Sequence, residues 1–100
     1  MPSSGNILVV DDDPALIEAL KATLVPPHKV FSARKGIQAL QILEQHVMNL
    51  VLLDYVLPDA SGLELLRVIQ RTDPTLPIIL MTGFGSEDVA VESFRSGVRD

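Results

Sequence analysis

The chain has 100 residues, of which 47% are hydrophobic; it contains no cysteine and has a formal net charge of −5. That length and apolar content suffice for one compact domain without disulfides or a structural metal, and the lack of cysteine fits a reducing, cytoplasmic compartment. Eight basic residues against 13 acidic ones argue against direct nucleic-acid binding, and apolar runs of only a few residues exclude a membrane span.

The first half of the chain predicts two strand and helix pairs after a short polar tail, residues 1–5. The run ILVV at 7–10 is apolar without alternation, which is typical of a strand buried on both faces of a parallel sheet. A helix follows, with Asp13 as its N-cap and Pro14 at its first position. The segment HKVFSA at 28–33 mixes polar with apolar residues and predicts a strand at the edge of the sheet. A second helix has apolar residues at helical spacing: Ile37, Leu40 and Leu43.

The second half repeats the alternation. The run LVLL at 50–53 predicts a strand, and the sequence SGLE at 61–64 has the spacing of a capping box at the start of a third helix. A further strand is predicted at 77–81, and a fourth helix from 86 to about 96, ended by Gly97. The order βαβαβαβα indicates an α/β fold with a doubly wound parallel sheet.

Acidic and hydroxyl side chains follow three of the predicted strands. Asp11 and Asp12 follow the first, Asp54 the third and Thr82 the fourth, and open α/β sheets bind ligands at the carboxyl ends of their strands. Clustered carboxylates repel one another unless a cation neutralises them, and Mg²⁺ prefers such oxygen ligands. A carboxylate beside that cation can attack phosphorus and form an aspartyl phosphate, with Thr82 as a hydrogen-bond donor.

Three segments carry a resemblance to a known family: ILVVDDD (7–13), LVLLDYVLPDASG (50–62) and IILMTG (78–83). Together they resemble the successive motifs of the receiver domain of two-component response regulators. The resemblance implies a flavodoxin-like sheet of strand order 2-1-3-4-5. It also implies phosphorelay signalling, in which a sensor histidine kinase phosphorylates the domain and the domain then controls an output partner. Such a domain is a conformational switch rather than a turnover enzyme.

The same resemblance gives a role to each polar residue at the strand ends. Asp54 would be the phosphoacceptor and Thr82 the donor to the phosphoryl group. The Mg²⁺ ligands would be Asp12 directly, Asp11 mainly through water, Asp54, and the main-chain carbonyl of Val56. Asp13 has no such role in the family, which agrees with its interpretation as an N-cap. No other cofactor is implied.

One part of the family pattern is missing. The family's lysine lies at the end of a fifth strand, which would come after Asp100, as would the fifth helix. We therefore expect residues 1–100 to be a C-terminally truncated receiver domain. An exposed fourth strand would then favour a homodimer or strand exchange with a second copy.

Two other functions fit parts of the sequence. A phosphatase resembling the haloacid dehalogenase superfamily would use Asp11 as nucleophile and Asp13 as acid and base, although Ala15 and the lack of a downstream acidic pair depart from that pattern. A phosphorylation-independent interaction module would bind its partners equally well after Asp54→Asn. A nucleotide or flavin binder is disfavoured because the turn DDDPA has no glycine to cradle a phosphate.

Overall fold

A computed structural model describes residues 5–81, which form a parallel sheet flanked by helices. The elements are β1 (Asn6–Val10), α1 (Pro14–Leu24), β2 (Lys29–Ala33), α2 (Gly36–Gln45), β3 (Leu50–Asp54), α3 (Gly62–Thr72) and β4 (Ile78–Met81). The strand order is β2-β1-β3-β4, with every neighbouring pair parallel. The predicted doubly wound α/β fold is confirmed over these elements. The helix predicted at 86–96 lies outside the described residues.

The central strand β1 is buried on both faces, which explains its continuous apolar sequence. Leu8 and Val10 point toward the core shared with α2 and α3, whereas Ile7 and Val9 point toward Ile17 of α1. All of these side chains are at most 5% exposed. The helices therefore pack on opposite faces of the sheet, as a doubly wound fold requires. A bilayer could not be spanned by any helix in residues 5–81, since none combines the necessary length and hydrophobicity.

Two of the three described helices begin at the caps that the sequence predicts. The Asp13 carboxylate accepts a hydrogen bond from the Ala15 N–H at 2.9 Å, directly before α1. The Ser61 hydroxyl accepts one from the Glu64 N–H at 3.2 Å, at the start of α3. The residue before α2, Lys35, makes no side-chain capping bond. The start of α2 is satisfied from elsewhere in the fold.

The strand register brings the ends of β1 and β3 to the same level. Val10 pairs with Leu53, so that the next residue of each strand, Asp11 and Asp54, lies at one edge of the sheet. The chain directly after β1 still bonds to β2, because the Asp11 N–H donates to the Ala33 carbonyl at 3.0 Å. This edge lies where the helices change faces, which is the usual place for a ligand in such folds.

Candidate functional site

Three predicted site residues converge at the carboxyl ends of β1 and β3. One carboxylate oxygen from each of Asp11, Asp12 and Asp54 lies within 4.8 Å of the other two. Asp11 is buried, Asp54 is half-buried and Asp12 is exposed. The cluster therefore runs from the interior to solvent, so that a ligand could approach from one side. Thr82, the predicted hydroxyl donor, lies outside the described residues.

Asp11 is held in place by the turn that follows it. Its carboxylate accepts a hydrogen bond from the Asp13 N–H at 2.8 Å, and the side chain is only 5% exposed. Burying a charged group is costly unless partners compensate it. One amide hydrogen bond orients the Asp11 carboxylate but leaves its charge facing two further acids.

The surroundings of Asp54 disfavour the charged form of its carboxylate. Burial and the charge of Asp11, with a smaller effect of Asp12, raise the pKa of Asp54, while hydrogen bonds from the Val56 and Tyr55 N–H groups act to lower it. The Val56 bond is long, at 3.4 Å. The backbone therefore compensates only part of the repulsion, and a cation would be needed to remove the rest.

The donor set fits magnesium. Mg²⁺ binds hard oxygen ligands at about 2.0–2.1 Å, and it usually keeps waters and phosphate oxygens besides one or two carboxylates. The cluster offers carboxylate oxygens grouped within 4.8 Å, one of them on the exposed Asp12. Asp11 and Asp12 could hold the ion from β1 and Asp54 from β3. Val56, whose carbonyl is the further predicted ligand, is the second residue after β3.

The loop between β3 and α3, residues 55–61, closes tightly beside the cluster. Leu57 donates from its N–H to the Ala60 carbonyl at 3.1 Å, and Gly62 donates to the Tyr55 carbonyl at 2.6 Å. The buried Gly62 must lack a side chain, because a Cβ there would overlap the main-chain carbonyl of Asp54. Glycine at this position lets the start of α3 lie directly against the strand end that carries Asp54.

One acid of this loop has a role that sequence reasoning missed. The two carboxylate oxygens of Asp59 accept hydrogen bonds from the Gly36 N–H at 2.8 Å and the Ile37 N–H at 3.1 Å. These bonds lower the pKa of Asp59, with a further contribution from the positive charge of Lys35. The available signal was the start of α2, where Lys35 has no acceptor to satisfy the first N–H groups.

A cation at the rim was also missed. The guanidinium of Arg34, just after β2, donates to the main-chain carbonyl of Asp12 at 3.2 Å. The Arg34 N–H donates in turn to the Gln38 side chain at 3.0 Å. This contact joins the loop after β2 to the loop after β1 and puts a positive charge next to the acidic cluster.

An apolar groove of about 450 Å³ lies at the other end of the sheet. Its walls come from the C-terminal halves of α2 and α3 and from the segments that lead into β3 and β4, and they include Leu43, Met48, Val68 and Leu76. Asp11, Asp12, Asp54 and Val56, the predicted site residues within 5–81, do not line it. The acidic cluster is thus separate from this groove, and its carboxylates suit a small charged ligand rather than an apolar one.

Comparison with known proteins agrees with this geometry. The family model described as the response regulator receiver domain matches residues 7–100. The chain is 38% identical over 96 residues to the transcriptional regulatory protein ZraR of Klebsiella oxytoca, a match that covers 95% of the chain and 22% of that protein. It is also 38% identical over 98 residues to the response regulator protein FleR of Pseudomonas aeruginosa, covering 97% of the chain and 21% of FleR.

Solved structures give the same result. A CheY-like response regulator receiver domain protein from Methanospirillum hungatei superposes with a TM-score of 0.87 at 34% identity, over 96% of this chain and 78% of that one. The two sequence relatives are much longer, and the chain spans only about a fifth of their length.

Proposed function

The chain belongs to the response regulator receiver domain family, and we propose that Asp54 is the phosphoacceptor of its Mg²⁺-dependent switch. Receiver domains act in phosphorelay signalling and are phosphorylated by sensor histidine kinases. The observation that carries the assignment is the convergence of Asp54 with Asp11 and Asp12 within 4.8 Å at the strand ends. In this proposal the metal ligands are Asp11, Asp12, Asp54 and the Val56 carbonyl, and Thr82 donates to the phosphoryl group.

The proposed chemistry is an in-line phosphoryl transfer. A carboxylate oxygen of Asp54 attacks the phosphorus of a phosphohistidine, a P–O bond forms, and the P–N bond breaks with its electron pair going to the ring nitrogen. The ring leaves as neutral imidazole because its other nitrogen already carries a proton. The Val56 N–H, 3.4 Å from the Asp54 carboxylate, is positioned to donate to the incoming phosphoryl oxygens. Bound Mg²⁺ would neutralise the negative charge that gathers on the carboxylates and the transferring group.

The alternative of a haloacid dehalogenase-like phosphatase is not favoured. That mechanism needs Asp13 as a proton donor and acceptor, whereas the Asp13 carboxylate caps α1 through the Ala15 N–H at 2.9 Å. It would also leave unexplained why Asp54 lies against Asp11 and Asp12. The family match over residues 7–100 supports the receiver instead.

The test is intact mass after incubation with a small acyl phosphate, with and without Mg²⁺. We expect wild type to gain one phosphoryl group only with Mg²⁺, and Asp54→Asn to gain none. The matched control is Asp13→Asn, which removes a charge beside the cluster but keeps a capping oxygen, and it should gain the group as wild type does. A gain retained in Asp54→Asn would move the nucleophile to Asp11 and restore the phosphatase hypothesis. No gain in wild type would contradict the proposal for this chain.

A slow loss of the phosphoryl group is a second part of the proposal. The side chain of Val56 is 64% exposed, two residues after the phosphoacceptor, and an isopropyl group cannot orient a water molecule for attack. We expect Val56→Asn to hydrolyse its phosphoryl group several-fold faster than wild type, measured as phosphoprotein half-life after removal of the donor. An unchanged half-life would remove this part of the proposal.

The proposal for the rest of the protein follows from the relatives. The chain matches about a fifth of proteins named as a transcriptional regulatory protein and a response regulator. We take residues 1–100 as the regulatory part of such a protein, with residues 1–5 as a polar tail, acting in the cytoplasm as a switch rather than a turnover enzyme. Its net charge of −5 disfavours direct nucleic-acid binding. Gel-shift assays with this chain should therefore show no complex.

A homodimer or strand exchange between two copies is the last part of the proposal. It rests on the place of β4 at one end of the sheet order in residues 5–81, because an edge strand favours pairing with another strand. Analytical ultracentrifugation of the chain should show a concentration-dependent dimer. A monomer at all concentrations would rule this part out.

A further inference from the structure

The first turn of α2 is capped from a distant loop. A helix leaves its first four N–H groups without helical partners, and Lys35, at the N-cap position, has a side chain with donors only. Asp59, 23 residues after Gly36, accepts from the Gly36 N–H at 2.8 Å and, through its other oxygen, from the Ile37 N–H at 3.1 Å. The carboxylate thus replaces a local cap with a link between two separate elements.

That link starts from the loop that carries Val56 beside Asp54. The loop closes on itself through the Leu57 N–H bond to Ala60, at 3.1 Å, and the bridge between Val56 and Ser61. Leu57 is 7% exposed and anchors the loop in the core. Asp59 lies at the exposed tip, between these internal contacts. The hydrogen bonds from α2 to Asp59 therefore hold the tip of the loop, while the packing of Leu57 in the core holds its first residues.

We propose that Asp59 is a positioning residue for the phosphoacceptor site, acting by tying the loop of residues 55–61 to the N-terminus of α2. The inference rests on the proposed function of Asp54. The contacts of Leu57 with Ala60 and of Val56 with Ser61 join the tip of the loop to its base, so that losing the tether at Asp59 would loosen the Val56 N–H and carbonyl against Asp54. A displacement of about 1 Å in groups that orient a reaction can change its rate by large factors.

A simpler role for Asp59 would be to stabilise α2 alone. Two variants separate the roles. Asp59→Ala removes the tether and the cap together. Gln41→Gly, at an exposed position in the middle of α2, weakens the helix through its backbone entropy and leaves the loop untouched. Asp59→Asn is the conservative variant, since its amide keeps one acceptor oxygen.

The first readout uses the unphosphorylated chain. We expect Asp59→Ala to speed amide hydrogen exchange at Leu57 and Gly62 as well as at Gly36, and to lower the Mg²⁺ affinity on the order of tenfold, the lower end of what losing an outer partner costs a metal site. Gln41→Gly should speed exchange in α2 but keep the Mg²⁺ affinity of wild type. Asp59→Asn should recover part of the loss.

The second readout is the rate of phosphorylation by an acyl phosphate at saturating Mg²⁺. Asp59→Ala should be slower on the order of tenfold, and Gln41→Gly should match wild type. If Asp59→Ala exchanges faster only in α2 and binds Mg²⁺ and phosphorylates like wild type, Asp59 is a helix cap and the inference is wrong. If wild type takes up no phosphoryl group, the proposed function of Asp54 fails instead, and the two failures are distinct.

Discussion

Two groups of carboxylates lie near the same edge of the sheet and have opposite surroundings. Asp13 and Asp59 face main-chain N–H groups at the starts of α1 and α2, and those bonds lower the pKa of Asp59. Asp11, Asp12 and Asp54 face one another, and burial with the neighbouring charges raises the pKa of Asp54.

The difference shows that the acids here are not an ordinary solvated charge run. Where a carboxylate could meet a helix start, the fold provides amide donors, which favour the charged form. Where three carboxylates meet between β1 and β3, the backbone bonds to them within residues 5–81 run from Asp13 to Asp11 and from Tyr55 and Val56 to Asp54. The capping carboxylates stabilise the fold by themselves, whereas the clustered ones repel one another until a cation neutralises them.

The largest predicted effect comes from disturbing the contact between the start of α3 and the strand end that carries Asp54. In Gly62→Ala, the new methyl group would overlap the Asp54 carbonyl and come within 2.8 Å of the Tyr55 Cα. Both contacts are with backbone, which cannot rotate away. We expect a loss of about 3 kcal/mol in the free energy of unfolding, measured with urea, at the upper end of overpacking costs.

Gly36→Ala is the matched control for that variant. Gly36 is also buried and also the first residue of its helix, but a Cβ there would meet the Asp59 and Ala60 side chains at 3.5 and 3.6 Å, which are ordinary contacts. We expect its stability to change by less than about 1 kcal/mol. Equal losses in both variants would mean that the tight approach of α3 to β3 is not what requires Gly62.

Magnesium should act on one group of carboxylates and not on the other. At ten times its dissociation constant, an ion that binds only the folded chain stabilises it by about 1.4 kcal/mol. We expect this gain in wild type and in Asp13→Asn, and its loss in Asp12→Asn, from urea unfolding at matched ionic strength. The same gain in Asp12→Asn would remove Asp12 from the ligand set.

Removing the capping carboxylate of Asp13 should lower the stability of the chain by an amount that does not depend on Mg²⁺. Asp13→Ala removes the acceptor for the Ala15 N–H, and loss of an N-cap typically costs about 1 kcal/mol. The loss should be equal with and without Mg²⁺ in thermal or urea unfolding, and Asp13→Asn should restore most of it. A loss that disappears on adding Mg²⁺ would place Asp13 in the metal site.

Most of the fold could be predicted because its signals are local. The continuous apolar run of β1 indicates burial on both faces, Asp13 before Pro14 marks the start of α1, and Ser61 marks the start of α3. The convergence of Asp11 with Asp54 was predictable too, since the carboxyl ends of parallel strands share an edge and the register follows from the apolar runs.

The contacts that support the site could not be predicted in this way. Asp59 meets Gly36 across 23 residues and Arg34 meets Asp12 across 22, and both contacts depend on the conformations of two loops that are distant in sequence. No spacing rule gives such a partner. A helix start without a local cap, as at Lys35, indicates only that some acceptor is needed, not which one.

The smallest predicted effect tests the sign of the electrostatics at the cluster. Because the pKa of Asp54 is raised in the folded chain, the folded state holds its proton more tightly than the unfolded state does. Its contribution to stability therefore falls as pH rises from the ordinary aspartate pKa, about 3.9, through the raised value. The lowered pKa of Asp59 acts in the opposite direction, since its contribution is present above the ordinary pKa and is lost as pH falls through the lowered one.

Asp54→Asn should accordingly be more stable than wild type at pH 7 without Mg²⁺, by about 0.5 kcal/mol, the scale of interactions between partly exposed charges. The difference should shrink toward pH 4 and reverse at pH 7 once Mg²⁺ is added, because only wild type then gains the full set of ligands. Urea unfolding at both pH values measures it. A variant that is less stable than wild type at pH 7 without metal would show that the backbone bonds to Asp54 outweigh the repulsion, and the cluster would then resemble the caps rather than differ from them.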